Sequence, residues 1–123
     1  MRWSGGGRER GQSTVEFALV LPLLVFVLLA IVQTALVVRD AVGVVHASRE
    51  AARVAAVEPD PRRAADAARR VLEHAEVSVG SRPALGEPIA VDVRYQSATR
   101  LPLVGLLFPD LTLHSRTEMR VER

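Results

Sequence analysis

The chain has 123 residues, of which 49% are apolar and only 4% aromatic, and its formal net charge is +2. This length accommodates about one domain. The absence of cysteine excludes disulfides, thiolate metal ligands and a thiol nucleophile. The small net charge, the interleaving of arginines with acidic residues and the lack of a recognisable binding motif argue against nucleic acid as a partner.

The N-terminal part of the chain combines a basic head with a long apolar run. Residues 1–11 are polar and basic, and the triple glycine run at 5–7 predicts disorder. An uncharged run of 22 residues then extends from Phe17 to Val38. As a helix it is about 33 Å long, close to the roughly 30 Å hydrocarbon core of a bilayer. A buried core helix this apolar needs a larger protein around it, so we predict a membrane-spanning segment.

The helical pattern continues well beyond the apolar run. It covers residues 14–57, about 66 Å of helix, and two prolines then end it. In the second half, which is rich in alanine and valine, Glu50 and Arg53 are spaced to pair on one face. Because this length exceeds the bilayer, the second half must extend into water or along partner helices. Gln33 and Thr34, near the far end of the run, either bond partner helices or lie at the interface.

The remaining pattern predicts one more helix and a small sheet. Asp60 as a cap, followed by proline, begins a helix whose apolar spacing of three and four continues to Ala75. Residues 88–97 and 111–122 then alternate as half-buried antiparallel strands do, and residues 76–80 either add a short strand or end the helix. The predicted fold class is α+β. It has a long N-terminal transmembrane helix extending out of the membrane, a second amphipathic helix and an antiparallel β-sheet of two or three strands.

The apolar positions of the two longer strands define the expected core face of the sheet. They are Ile89, Val91, Val93, Tyr95, Leu111, Leu113, Met119 and Val121. The connection between these strands, residues 99–110, is itself apolar, whereas turns are ordinarily polar. It either folds back over the sheet as core or contacts lipid or a partner.

Glu16 stands directly before the apolar run, and three interpretations compete. It can be a tolerated interfacial charge, a helix-start carboxylate favoured by the helix dipole, or a recognition residue for assembly. The surrounding pattern favours recognition. A basic leader, Gly11, four neutral residues, Glu16, Phe17 and a long apolar run form the class III signal of prepilin-like proteins. An ordinary secretory signal has a shorter apolar core, followed by a small-residue cleavage site.

Three sequence segments carry a closer resemblance. GQSTVEFALVLPLLVFVLLAIVQTA begins at Gly11, ASREAARVAAV ends at Val57, and LPLVGLL follows at 101–107. Together they resemble the TadE-like proteins of the tight-adherence (Flp-type) pilus assembly system, over about residues 10–121.

The resemblance implies a function and a site. The chain would be a pseudopilin, a structural or assembly subunit of a tight-adherence pilus or a related secretion machine. A prepilin peptidase would cut it between Gly11 and Gln12. Glu16 and Phe17 would serve assembly and recognition, with Glu16 pairing with the amine that cleavage exposes. The implied partners are the peptidase, other pilus or pseudopilin subunits, inner-membrane platform proteins and membrane lipid, with no nucleic acid.

The resulting organisation has four parts. They are a prepilin-type leader at 1–11, a transmembrane segment at 12–38, an extramembrane extension of the long helix at 39–57, and a small extracytoplasmic α+β domain at 60–123. The protein would be single-pass in the cytoplasmic (inner) membrane, with its N-terminus in the cytoplasm. If the subunit enters the filament, it would also be found in the pilus.

No pattern of catalytic residues stands out. His46, His74 and His114 fall on separate elements without ligand-like spacing, and neither a phosphate-binding glycine loop nor a nucleophile elbow is present. Four acidic residues are most simply solvated or ion-paired: Asp40, Glu50, Asp66 and Asp92. We predict no enzyme, no metal and no cofactor. The alternative function is an uncleaved, single-pass membrane-anchored module that binds an extracytoplasmic partner.

Overall fold

The computed structural model describes residues 6–99, 104–107 and 109–122, the side chains of 6–10 and 104 excepted. Its elements are helix α1 (Gly6–Val57), helix α2 (Pro61–Val71), strand β1 (Glu76–Val79), strand β2 (Pro88–Ser97), a 3-10 turn (Val104–Leu106) and strand β3 (Leu111–Arg120). The predicted α+β class is confirmed, and the sheet has three strands.

Helix α1 is a single helix of 52 residues, about 78 Å long, and it continues through Pro22. It begins earlier than the sequence predicted. Gly6 and Gly7 lie in it, so the disorder expected for the triple glycine run is wrong for these two residues. Gly5 lies outside the described residues.

The C-terminus of α1 is capped from a distant loop. A helix leaves its last carbonyl oxygens without intrahelical donors, and α1 has no basic residue in its last turn. Arg82, which follows β1, supplies the missing donors. Its Nη1 donates to the carbonyl oxygens of Ala55, at 2.8 Å, and Glu58, at 3.0 Å. A cation at this end also complements the helix dipole.

Helix α2 starts as predicted but ends early. The Asp60 carboxylate accepts a hydrogen bond from the backbone N–H of Arg62 at 2.9 Å, and a proline occupies the first turn. The predicted continuation to Ala75 is wrong. The chain leaves the helix after Val71, and His74 adopts the left-handed backbone conformation with φ 67°. The following residues can therefore pair with β2, and this pairing outweighs their helical spacing.

The sheet is an antiparallel meander in the order β1-β2-β3. Strand β2 has the predicted bounds, and its central residues Val91 and Val93 pair with Thr117 and Ser115 of β3. The expected faces hold: Ile89, Val91 and Val93 are buried and Tyr95 is half-buried. On β3, Leu113 and Met119 are half-buried and Val121 just beyond the strand is buried, whereas Leu111 is exposed.

Both helices cover one face of the sheet. The core cluster contains Val44, Ala47, Ala51, Ala52 and Ala55 from α1, Ala64 and Ala68 from α2, and Ala75, Ile89, Val91, Val93 and Val121. Apart from Ile89, the buried residues of this cluster are all alanine or valine. Small side chains let helices and sheet approach closely, but each one removes little apolar area from water. The core therefore depends on α1 as much as on the sheet.

The connection between β2 and β3 does not fold back as core at its described leucines. Leu106 is 89% exposed and Leu107 is 64% exposed. Residues 101–103 and 108, which were part of that expectation, lie outside the described residues.

We predict that a fragment comprising residues 60–123 lacks the cooperative unfolding transition of a fragment comprising 40–123. The shorter fragment loses the alanines of α1 that seal the sheet, and a domain of this size without disulfides is marginal. Thermal unfolding followed by circular dichroism measures the difference.

A matched pair of variants in the longer fragment isolates the cause. Ala47→Asp places an unpaired charge at a position that is 0% exposed, whereas His46→Asp changes the adjacent exposed residue. Only Ala47→Asp should reproduce the loss. If fragments 60–123 and 40–123 melt alike, α1 is not part of the core.

Candidate processing and assembly site

The sequence-predicted assembly residues lie together near the N-terminus of α1. Gln12 and Glu16 are one helical turn apart, and Gln12 Nε2 donates to Glu16 Oε1 at 3.2 Å. Both side chains are exposed. An ionised carboxylate offers about four acceptor positions, so this single contact leaves Glu16 able to accept further donors.

Gly11 has no packing role in this fold. A Cβ built at Gly11 meets nothing within 4 Å, so space does not require glycine there. In a helix, glycine costs about 1 kcal/mol relative to alanine. The fold of the isolated chain thus gives no reason for glycine at this position.

The apolar surface that follows Glu16 is uncovered. Val15 and Phe17 are each 60% exposed and Leu19 is 74% exposed. None of the most apolar 18-residue window of α1 is buried within the chain. Among the described residues, α1 is the one helix long and apolar enough to cross a membrane.

A second polar contact lies just beyond the apolar run and was missed by the sequence analysis. Asp40 is only 7% exposed, so it is not a solvated carboxylate, and its Oδ2 accepts a hydrogen bond from Ser97 Oγ at 2.7 Å. Ser97 is itself 3% exposed. The burial of Ser97 could have been predicted from the alternation of the strand, because Ser97 lies on the same face of β2 as Val91 and Val93.

A hydroxyl cluster joins α1 to β3 and was also missed. Ser48, which is 0% exposed, donates to the carbonyl oxygen of Val45 at 3.0 Å. Its oxygen lies 2.9 Å from Ser115 Oγ and 2.8 Å from Thr117 Oγ1. Either oxygen can be the donor in these two contacts. If the Ser48 proton is directed to Val45, Ser48 accepts from both strand hydroxyls and uses its full hydrogen-bonding capacity. Ser115 and Thr117 share the parity of the apolar positions of β3.

Gln33 and Thr34, which were expected either to bond partner helices or to lie at the interface, differ in their surroundings within the chain. Thr34 Oγ1 donates to the carbonyl oxygen of Ala30 in the preceding turn, at 2.9 Å. Gln33 is 3% exposed, and its Oε1 has no hydrogen-bond partner within the described part of the chain. Gln33 is therefore covered by its own chain rather than left open for a partner.

Several other charged groups form local pairs. The Glu50–Arg53 pair predicted on α1 is confirmed at 3.0 Å. His114 Nε2 lies 3.0 Å from Asp92 Oδ1 on the open face of the sheet. Across residues 6–99, 104–107 and 109–122, no three His, Cys, Asp or Glu side chains form a group that could hold a metal ion.

Together these features define a class of protein. One helix long and apolar enough for a single-pass membrane anchor continues directly into the core of a small α+β domain. Residues 11–53 match the family model described as TadE-like protein. The resemblance recognised in the sequence is confirmed over these residues, and the match is consistent with a TadE-like protein. The match supports a pilus-associated, pseudopilin-like protein.

The match does not extend to the sheet. The similarity seen in the sequence around residues 101–107 therefore stays a prediction. No curated protein and no solved structure is significantly similar to the chain.

We predict that Ser97→Ala lowers the free energy of unfolding of the domain by about 1.5–3 kcal/mol, the range for a hydrogen bond to a charged group. The substitution leaves the buried Asp40 carboxylate with one donor fewer. Urea titration of the full chain in detergent micelles, followed by circular dichroism, measures the change.

The control for this prediction is Ser78→Ala, at an exposed serine of β1. It should change stability little. An equal loss in both variants would show that the Asp40 contact contributes nothing specific.

Proposed function

We propose that the protein is a structural or assembly subunit of a tight-adherence pilus or a related secretion machine. It is anchored in the cytoplasmic membrane by α1 and processed by a prepilin peptidase between Gly11 and Gln12. The observation that carries the proposal is the TadE-like match over residues 11–53, which begins at this glycine. Its partners are the peptidase, other pilus subunits and the inner-membrane platform. Its role is structural rather than enzymatic.

The environment of Gly11 supports processing at this position. A peptidase must bind the scissile segment in an extended form, so the local helix has to unwind. Glycine lowers the cost of unwinding because it is a poor helix former, and nothing packs against it. Removal of residues 1–11 takes away three arginines and one glutamate, so the side-chain balance of 16 basic to 14 acidic becomes 13 to 13. A neutral subunit suits packing against related copies.

The position of Glu16 supports a role after cleavage. Gln12 would become the new N-terminus, and its side chain already lies within hydrogen-bond distance of the Glu16 carboxylate. A carboxylate in lipid is costly unless it is paired. The new amine, from the same or an adjacent subunit, supplies a partner of opposite charge. A charge that is tolerated only when docked gives specificity to helix association.

The proposed orientation places the N-terminus in the cytoplasm and the domain outside. Arginines alone decide this weakly, since Arg39 and Arg49 follow the apolar run much as Arg8 and Arg10 precede it. The proposed site of processing supports this orientation, because prepilin signals are cut on the cytoplasmic side.

We predict that the protein purified from membranes of its native host begins at Gln12. N-terminal sequencing or intact mass spectrometry measures this directly. A chain that still begins at Met1, in cells with an active prepilin peptidase, would favour the alternative of an uncleaved anchored module that binds an extracytoplasmic partner.

We further predict that Glu16→Gln abolishes assembly but permits membrane insertion and cleavage. The amide keeps the shape and removes the charge, which leaves the new amine unpaired. Breaking such a buried pair costs roughly 3–5 kcal/mol. Piliation and co-purification with other pilus subunits should fall sharply at unchanged protein level.

Two variants serve as controls for Glu16→Gln. Glu50→Gln removes a half-buried carboxylate elsewhere on α1, one that already pairs with Arg53, and should assemble normally. Gly11→Leu should stay uncut and fail to assemble although Glu16 is intact, because no amine is released. Normal assembly of the Gln variant would reduce Glu16 to a helix-start charge.

A further inference from the structure

The connection between β2 and β3 exposes large apolar side chains beside α1. Leu106 and Leu107 are 89% and 64% exposed, and the 3-10 turn that contains Leu106 contacts α1. The sequence carries no charge from Leu101 to Phe108. Soluble surfaces rarely present consecutive large apolar side chains without an interaction partner, so these leucines require an apolar neighbour.

The connection is held at a defined height along α1. At its start, Ser97 bonds Asp40, the first acidic residue after the apolar run, at 2.7 Å. Its two ends are tied together where the backbone N–H of Thr99 donates to Asp110 Oδ1 at 3.0 Å. The 3-10 turn lies close to Thr99 at the start of the connection, since a Cβ built at Gly105 would lie 3.6 Å from Thr99 Cγ2.

The burial pattern of α1 shows how far the domain extends toward the span. Gln33 is 3% exposed, Asp40 is 7% exposed, and Leu36 and Val37 between them are half-buried. These positions are three or four residues apart and share one helix face. Gln33 lies seven residues before Asp40, about 10 Å toward the N-terminus. One face of α1 is therefore covered within the apolar run itself. The β2–β3 connection begins beside Asp40, where the last residue of β2 bonds it.

We propose that the β2–β3 connection inserts Leu106 and Leu107 into the extracytoplasmic interface of the bilayer. Lipid is the occupant because the 3-10 turn contacts α1, and the last part of the apolar run still exposes Ile31, Val32 and Val38 on its other faces. Both apolar surfaces are therefore open to the same bilayer. The contact fixes the domain against the membrane at a second point besides α1. This inference rests on the proposed anchoring of α1 in the membrane.

Tryptophan fluorescence in proteoliposomes tests the insertion. In the full chain, Trp3→Phe first removes the single tryptophan. Leu106→Trp then reports on the connection, and Leu24→Trp reports on the span. Leu85→Trp is the matched control, because Leu85 is 70% exposed on the β1–β2 loop, at the end of the sheet away from Ser97. Each variant is reconstituted in phosphatidylcholine–phosphatidylglycerol vesicles with ordinary or brominated acyl chains, and far-ultraviolet circular dichroism checks its fold.

The expected result is a blue-shifted emission for Leu106→Trp and a loss of intensity in brominated lipid, as for Leu24→Trp, with neither change for Leu85→Trp. If Leu24→Trp is quenched and Leu106→Trp behaves like Leu85→Trp, lipid insertion of the connection is overturned while the anchor stands. If Leu24→Trp itself is not quenched, the proposed anchoring fails, and the inference fails with it. A blue shift at Leu106→Trp that requires a high protein-to-lipid ratio and shows no bromine quenching overturns the proposal in favour of contact between copies.

Discussion

The unbroken backbone of α1 is the constraint on which the rest of the structure depends. A single helix of 52 residues must present an apolar surface along its first half and form part of a domain core along its second. The sequence resolves these demands by changing side-chain size. Leucine and valine dominate up to Val38, and buried alanines such as Ala47 and Ala51 follow. Large side chains give a favourable lipid-facing surface, whereas small ones allow close approach to a sheet.

A core of alanine and valine defines register weakly, because small side chains interlock little. The polar contacts supply what the apolar ones lack. Ser48 can satisfy its hydrogen bonds only when Ser115 and Thr117 lie opposite it, and Asp40 is bonded by Ser97. A shift of α1 by one residue along the sheet would leave buried polar groups unpaired, at about 1–3 kcal/mol each. These contacts fix where the domain sits on the helix.

The sequence predicted the parts of the fold that depend on local periodicity. The bounds of β2, the Glu50–Arg53 pair and the cap at Asp60 are local features, and the structure has them. Contacts between distant residues were not accessible in the same way. Arg82 caps a helix that ends more than twenty residues earlier in the chain, and nothing near Arg82 indicates this.

Some contacts that the sequence analysis missed could have been predicted by applying the two-residue periodicity of strands more strictly. The sequence analysis assigned the apolar residues of β3 to the core face but left out Ser115, which has the same parity. A polar residue on a core face implies a buried polar partner, and Ser48 is that partner. The early end of α2 differs in kind. The apolar residues do have helical spacing as far as Ala75, but the residues after His74 turn away and pair with β2 as strand β1. In the candidate site, Glu16 was proposed from its chemistry and neighbours, because its contact with Gln12 one turn earlier does not by itself indicate a function.

Glu16 and Asp40 flank the apolar run of α1 and lie at a fixed distance from each other along the helix. They are 24 residues apart on a continuous helix, about 36 Å, slightly more than the roughly 30 Å thickness of a hydrocarbon core. If α1 moves along its axis by the rise of one residue, about 1.5 Å, Glu16 and Asp40 move together, because the helix is continuous between them. A contact that sets the height of Glu16 in an assembly therefore also sets the height of the domain above the membrane. The continuous helix makes these two ends one mechanical unit.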